Sequence, residues 1–179
     1  MKIVFLDVDG VINIDDENIR INNSNREFSR AVMVQLADII EKTDAYIVLS
    51  SSWRFFESGS LERTVLTDNL RKYGLLDRLI GCTGSEIFNN RAPDDVFFGK
   101  GAGMLRSKAI FLWLMENWDN SNVESFVILD DLKNMGMMNR YLAICNPAEG
   151  ITPLVKETAV EILSATVDKQ GLFRKEQRN

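Results

Sequence analysis

The sequence predicts a three-layer, doubly wound α/β fold with a mainly parallel sheet of about five strands. Three short runs, KIVFL, AYIVLS and FVILD, have the continuous apolar character of strands that are buried on both faces. Segments with apolar residues at three- and four-residue spacing separate these runs, so that predicted strands and helices alternate along the chain. Such an order is typical of crossover units, which place parallel strands in one sheet with helices on both faces.

The periodicity predicts four helices, at roughly 25–42, 60–73, 105–118 and 153–165. Two weaker apolar runs, RLIGCTG and YLAICN, supply the remaining strands. The polar stretches 13–24 and 84–103 are predicted to be loops that are too short for a substantial cap domain. We therefore expect one domain over residues 1–166, followed by a polar and basic tail over residues 167–179 that is solvated.

Composition excludes several classes of function. The net charge of −5 argues against a globally basic nucleic-acid or membrane binder. Histidine is absent, which excludes Ser-His-Asp and Cys-His hydrolases, HExxH zinc sites and phosphohistidine intermediates. Cys82 and Cys145 lie in apolar runs and are expected to be packing residues in a reduced compartment. With no signal peptide or membrane span in the sequence, we expect a cytoplasmic protein.

Polar side chains follow three of the apolar runs at the point where each run ends. They are Asp7 and Asp9 after the first, Ser50, Ser51 and Ser52 after the second, and Asp130 and Asp131 after the third. The carboxyl ends of parallel strands meet at one edge of a sheet, where ligands bind. Carboxylates crowded there repel one another and lose hydration unless a cation neutralises them, and Mg²⁺ prefers such oxygen ligands. The sequence predicts a magnesium-held phosphate, although each acid alone could be a solvated loop residue or a helix cap.

Four segments in order, FLDVDGVIN, IVLSSSW, SKAIFLWL and VILDD, resemble the four motifs of the haloacid dehalogenase-like (HAD) superfamily. The segment GITPLVKETAVEIL is similar to the closing helix of small members without a cap, such as the HAD domain of RNA-repair (Swiss Army Knife) proteins. This resemblance covers nearly the whole chain. It implies a HAD-like, Rossmann-like fold and Mg²⁺-dependent phosphoester hydrolysis through an aspartyl-phosphate.

The same resemblance assigns roles to the four acids. Asp7 is the expected nucleophile. Asp9 is the expected general acid and base, and its backbone carbonyl is expected to reach the metal. Since HAD dehalogenases lack the second acid, Asp9 favours phosphoryl transfer over carbon–halogen chemistry. Asp130 is expected to bind Mg²⁺ directly, and Asp131 is expected to hold a metal-bound water or to orient a catalytic lysine.

The serines and one arginine after the second run are candidate phosphate ligands. Ser50 matches the hydroxyl that hydrogen-bonds the transferring phosphoryl oxygens, while Ser51 and Ser52 are neighbours whose register the sequence leaves open. Both of these neighbours could instead be turn-forming residues. Arg54 could clamp a phosphate bidentately or lie in solvent.

Lys108, at the start of an amphipathic helix, is the favoured catalytic cation. Lys100 and Arg106 are its competitors. A surface lysine is common in a first helical turn, but the helix dipole disfavours a cation there, which supports a specific role.

An open crevice without a cap suits a phosphate that is carried on a large partner, because the partner's own surface excludes water. The expected substrates are therefore a phosphoprotein, including phosphotyrosine, or a nucleic-acid end. Trp53, Phe55 and Phe56 could stack on a base or a phosphotyrosine ring, or could pack in the core. The alternative function is a catalytically silent HAD-like module that binds a phosphorylated partner.

Overall fold

A computed structural model describes residues 1–14, 27–84 and 101–173. It confirms the predicted fold class: five parallel strands form one sheet in the order β3-β2-β1-β4-β5. The strands are β1 (Lys2–Leu6), β2 (Tyr46–Leu49), β3 (Leu79–Cys82), β4 (Ser125–Asp130) and β5 (Leu142–Ile144). Both weak apolar runs are therefore strands.

The α-helices in the described ranges are α1 (Arg30–Thr43), α2 (Leu61–Lys72), α3 (Ala102–Asn117), α4 (Pro153–Ser164) and α5 (Lys169–Phe173). Short 3₁₀ turns occupy Ser52–Phe55, Leu76–Arg78 and Gly136–Tyr141. The four predicted helices correspond to α1 to α4, although α3 begins three residues earlier than predicted. Most of the two predicted loops lies outside the described residues.

Strand β1 lies at the centre of the sheet, and its register sets the position of the site. Leu6 pairs with Leu49 of β2 on one side and with Leu129 of β4 on the other. The residues that follow these three leucines, Asp7, Ser50 and Asp130, are therefore level with one another at the carboxyl edge of the sheet.

The three central strands, β1, β2 and β4, are buried on both faces, which explains their continuous apolar runs. Val4 and Leu6 face a core that contains Leu36 of α1 and Leu163 of α4. Phe5 faces a second core on the other side of the sheet, which contains Ile110 and neighbouring residues of α3. None of the helices in the described ranges combines the length and the apolar character that crossing a membrane requires.

The chain continues to pack beyond residue 166, where we expected a solvated tail to begin. Leu172 of α5 is fully buried, and the ring of Phe173 lies edge-on to Phe111 and Trp118 at centroid distances of 5.2 and 5.6 Å. Lys169 forms an ion pair with Asp119. Val167 is buried as well, so three apolar residues dock this segment, and the expectation of a solvated tail is wrong as far as Phe173.

The two cysteines differ in environment. Cys145 is buried, as predicted, and burial raises the pKa of its thiol to about 12. Cys82 is exposed and lies on the edge strand β3, where Ile80 and Gly81 are exposed as well. The prediction that both cysteines are packing residues is therefore wrong for Cys82.

Candidate active site

Three carboxylates converge at the carboxyl edge of the sheet. One oxygen from each of Asp7, Asp130 and Asp131 lies within 4.8 Å of the other two. Asp7 is 5% exposed, Asp130 is fully buried and Asp131 is half-buried. Asp7 Oδ1 accepts a hydrogen bond from its neighbour's backbone N–H at 2.8 Å, and Asp130 Oδ1 accepts one from Leu132 at 2.9 Å. The two buried carboxylates are thus held in fixed orientations.

Gly10 allows the first loop to approach Asp131. Its φ of +74° lies in the left-handed region, and a Cβ at this position would lie 2.8 Å from Asp131 Oδ2. The loop itself is a tight turn, in which the Val8 carbonyl accepts backbone hydrogen bonds from Val11, Ile12 and Asn13. The glycine of the DVDG pattern is therefore explained by steric contact, because a side chain at this position would collide with Asp131.

Arg106 of α3 is the cation that contacts these carboxylates. Its Nη1 lies 2.9 Å from Asp7 Oδ1 and 3.1 Å from Asp130 Oδ2. These are ion pairs by distance without hydrogen-bond geometry, since Arg106 Nη1 and Asp130 Oδ2 have no hydrogen-bond partner within the described residues. Burial works to lower the pKa of Arg106, but Asp130 and Asp7 outweigh it and raise that pKa.

Asp130 remains incompletely neutralised in spite of this contact. Burial, together with the charge of Asp7 and against the opposing effect of Arg106, raises its pKa to about 7. A fully buried carboxylate with one oxygen that accepts no hydrogen bond from the described residues, beside two other carboxylates, suits a divalent cation. The donor set consists of oxygen only, as Mg²⁺ prefers, so these residues fit the predicted metal.

The Asp9 carboxylate lies outside this group of three and makes different contacts. Trp53 Nε1 donates to Asp9 Oδ2 at 2.8 Å, and Asn13 Nδ2 donates to Asp9 Oδ1 at 2.7 Å. Asp9 is exposed, as access to a leaving group requires. Sequence reasoning assigned Trp53 to stacking or to the core and missed this hydrogen bond.

The serines after β2 have three different environments. Ser50 is fully buried, and its Oγ has no hydrogen-bond partner among the residues that the structure describes. Ser51 is equally buried, but its Oγ accepts from the Trp53 backbone N–H at 3.3 Å and caps the 3₁₀ turn. Ser52 is exposed. Of the three hydroxyls, that of Ser50 is the one that is buried without a hydrogen-bond partner among the described residues, as a hydroxyl that serves a ligand would be.

Thr83 is a candidate that sequence reasoning missed. It follows β3, is 1% exposed, and its backbone N–H donates to the Leu49 carbonyl at 2.9 Å. Within the described residues its Oγ1 has no hydrogen-bond partner. The signal was present, because a polar residue follows this strand in the run RLIGCTG, as polar residues follow β1, β2 and β4.

Arg54 brings a second positive charge to the same region. Its Nη1 donates to the Ser51 carbonyl at 2.6 Å, and its guanidinium lies 4.3 Å from the centroid of the Phe55 ring. Burial lowers the pKa of Arg54, and the charge of Arg106 lowers it further. Its Nε is buried and has no hydrogen-bond partner in the described part of the chain. Arg54 thus has both charge and a donor available for an anion.

Lys108 lies on α3, two residues after Arg106, and is 8% exposed. The ion pairs of Asp7 and Asp130 come from Arg106. The role of Lys108 therefore stays a prediction, and Lys100 lies outside the described residues.

The parallel sheet, the acids after β1 and β4, the hydroxyls after β2 and the cation from the helix before β4 together define a HAD-like protein. The chain belongs to the family described as the HAD domain in Swiss Army Knife RNA repair proteins, whose family model matches residues 3–154. This match supports a HAD-like protein without a cap domain. Searches of curated proteins and of solved structures gave no significant match. HAD proteins are generally hydrolases and generally use Mg²⁺.

Proposed function

We propose that this protein is a Mg²⁺-dependent phosphatase that hydrolyses phosphomonoesters through an aspartyl-phosphate on Asp7. The observation that carries the proposal is the position of Asp7 after the central strand, against Arg106 and beside Asp130 and Asp131. A carboxylate buried among other carboxylates and paired with a shared cation has no evident value for stability alone. Such an arrangement is suited to a nucleophile that works next to a metal and a phosphate.

In the proposed reaction an Asp7 oxygen attacks phosphorus, and the bond between phosphorus and the ester oxygen breaks. Asp9 gives its proton to the leaving oxygen, which departs as an alcohol. A water then attacks the phosphorus of the aspartyl-phosphate while Asp9 accepts one of its protons. Inorganic phosphate leaves, and both aspartates return to their starting state.

Positive charge and hydroxyl groups stabilise the transferring phosphoryl group in this proposal. Arg106 contacts the nucleophile, Arg54 carries an available donor, and Ser50 offers an unpartnered hydroxyl within the described residues. Asp7, Asp130 and Asp131, with the backbone carbonyl of Asp9, would hold the metal. Bound Mg²⁺ would supply positive charge that shields the attacking carboxylate from the phosphate.

The proposed substrate is a phosphate on a macromolecule, either a phosphoprotein side chain or a nucleic-acid end. A protein without a cap needs its substrate to cover the crevice. Phe55 and Phe56 are 54% and 39% exposed next to Arg54, where an aromatic side chain or a base can stack. The description of the family favours nucleic-acid ends, whereas the net charge of −5 favours a protein partner.

The test is hydrolysis of an aryl phosphate with and without Mg²⁺ by the wild type and Asp7→Asn. We expect Mg²⁺-dependent turnover that the variant loses, and a phosphorylated wild-type protein that hydroxylamine cleaves, as it does acyl phosphates. Asp119→Asn is the matched control, because Asp119 is 82% exposed and contacts Lys169. Phosphopeptides and phosphorylated oligonucleotides then compare the two substrate classes.

Turnover that survives in Asp7→Asn would contradict the proposed nucleophile. A wild type that is inactive on every substrate class, yet binds a phosphorylated partner without Mg²⁺ and with Asn at position 7, would be the silent binding module instead.

A further inference from the structure

Both oxygens of the Asp9 carboxylate accept hydrogen bonds from neutral side chains on two separate loops. Asn13, at the end of the loop after β1, donates to Oδ1, and Trp53, in the 3₁₀ turn after β2, donates to Oδ2. The contact with Trp53 spans 44 residues of sequence. Neither donor brings a charge, so the contacts fix the direction of the carboxylate without pairing it with a cation.

The indole that makes the longer-range contact is itself held rigidly. Trp53 is 9% exposed, and its ring lies edge-on to Phe28 and Phe56 at centroid distances of 5.9 and 5.6 Å. Its backbone N–H donates to Ser51 Oγ. With its ring and its backbone both fixed, Trp53 presents its N–H in one direction.

A packing tryptophan needs only some acceptor for its N–H, and a backbone carbonyl is the usual one. Here the acceptor is the exposed carboxylate of Asp9, a group that water alone could satisfy. An exposed aspartate without partners samples several rotamers, each of which moves its oxygens by ångströms. The main effect of the hydrogen bond is therefore to restrict the Asp9 side chain, because the Trp53 ring is already fixed by packing.

We infer that Trp53 is the positioning residue for proton transfer, which holds the Asp9 carboxylate where it can reach the leaving oxygen. This inference rests on the proposed phosphatase function. Arg54, the next residue in the chain, offers its guanidinium to an anion. The Ser52–Phe55 turn thereby orients the proton donor and one phosphate ligand together, so that phosphoryl group and acid keep a fixed geometry.

The first experiment tests the contact itself and needs no substrate. The indole N–H signal of Trp53 is assigned in ¹H–¹⁵N spectra with Trp53→Phe, and its position is compared in the wild type and Asp9→Ala. We expect a large shift of the Trp53 signal and little change in that of Trp118, which lies in the core beside Phe126 and Phe173. An unchanged Trp53 signal would overturn the inference whatever the protein hydrolyses.

The second experiment uses the leaving group to isolate proton donation. An alkyl phosphate needs a proton on its leaving oxygen, whereas 2,4-dinitrophenyl phosphate does not. For Trp53→Phe we expect kcat with the alkyl phosphate to fall by roughly 10- to 100-fold with little change in KM. The first release of dinitrophenolate should keep its wild-type rate, followed by accumulation of the aspartyl-phosphate, because water activation also needs Asp9.

Controls separate positioning from damage to the fold. Trp118→Phe makes the same substitution in the other core and should leave the rates of hydrolysis of both phosphates unchanged. In the Asp9→Ala background, Trp53→Phe should cause no further loss of activity, because the carboxylate that the Trp53 indole N–H contacts is already absent. If Trp53→Phe does not fold, the sulfur analogue β-(3-benzothienyl)alanine at position 53 removes the N–H and keeps the ring system.

The outcomes distinguish this inference from the proposed function. An equal loss in kcat with the alkyl phosphate and in the rate of the first dinitrophenolate release, or a further loss in the Asp9→Ala background, would overturn the positioning role while the phosphatase stands. A wild type that hydrolyses neither phosphate, with the Trp53 signal still sensitive to Asp9, would overturn the phosphatase and with it the proton-transfer role.

Discussion

Replacement of Asp130 by Asn should change how the stability of the metal-free protein depends on pH. Asp130 is fully buried, and burial raises its pKa from an ordinary value of 3.8 to about 7. A carboxyl group with a raised pKa in the folded state contributes stability that is fully present below its unfolded pKa and is lost as the pH rises through the folded value. Between pH 5 and pH 8, linkage gives a loss of about 2 to 3 kcal/mol.

Urea unfolding in the presence of EDTA at pH 5 and pH 8 measures this loss of stability. Asp130→Asn retains the oxygen that accepts from the Leu132 N–H and has nothing to titrate, so its fall in stability should be smaller than that of the wild type by the stated amount. Asp77→Asn, at an exposed position, should behave as the wild type does. Saturating Mg²⁺ should remove most of the loss at pH 8, because a cation stabilises the ionised form.

The reasoning fails if wild type and Asp130→Asn lose stability in parallel between these two pH values. That result would mean that Arg106 neutralises Asp130 completely and that the cluster has no unmet charge for a metal. If Mg²⁺ stabilised the wild type and Asp130→Asn equally, the cation would bind at a site that does not include Asp130.

Three further predictions follow from the contacts described. Arg106→Gln should lower kcat/KM of the proposed phosphatase by roughly 100-fold or more, because it removes the cation at the nucleophile; a larger loss in Lys108→Gln would instead give that role to Lys108. An aromatic disulfide reagent should titrate Cys82 rapidly in the native protein and Cys145 only after unfolding, since burial raises the pKa of Cys145 to about 12; fast reaction of both thiols would refute this. Leu172→Ala should destabilise the protein by about 2 to 4 kcal/mol in denaturant unfolding, whereas a residue in a solvated tail would cost almost nothing.

The sequence was sufficient for the sheet and for the acids at its edge. Strands that are buried on both faces consist of unbroken apolar runs, so the point where each run ends is visible, and parallel topology then brings those ends together. Asp7 and Asp130 do lie at one edge, because Leu6 and Leu129 before them are paired neighbours. To predict this edge it was enough to know where each strand ends, and the end of an apolar run shows that position.

The rotation of α3 could not be predicted in the same way. The helix buries Ala109, Ile110 and Phe111 in succession, so its apolar residues do not mark a single face. Arg106 and Lys108 are separated by roughly 200° around the helix axis, and the sequence alone does not show which of them points at the carboxylates. Packing of α3 against the sheet decides this, and in the structure it is Arg106 that makes the ion pairs.

The charges of the site support the proposal of a divalent cation. Within the described residues, Arg106 forms ion pairs with Asp7 and Asp130, and these pairs alone leave two of the three negative charges uncompensated when all three acids are ionised. The raised pKa of Asp130 shows the cost, because a proton competes for that position near neutral pH. A monovalent cation would leave one charge unmet in a buried place. Mg²⁺ would balance both charges, so that the carboxylates no longer repel an incoming phosphate.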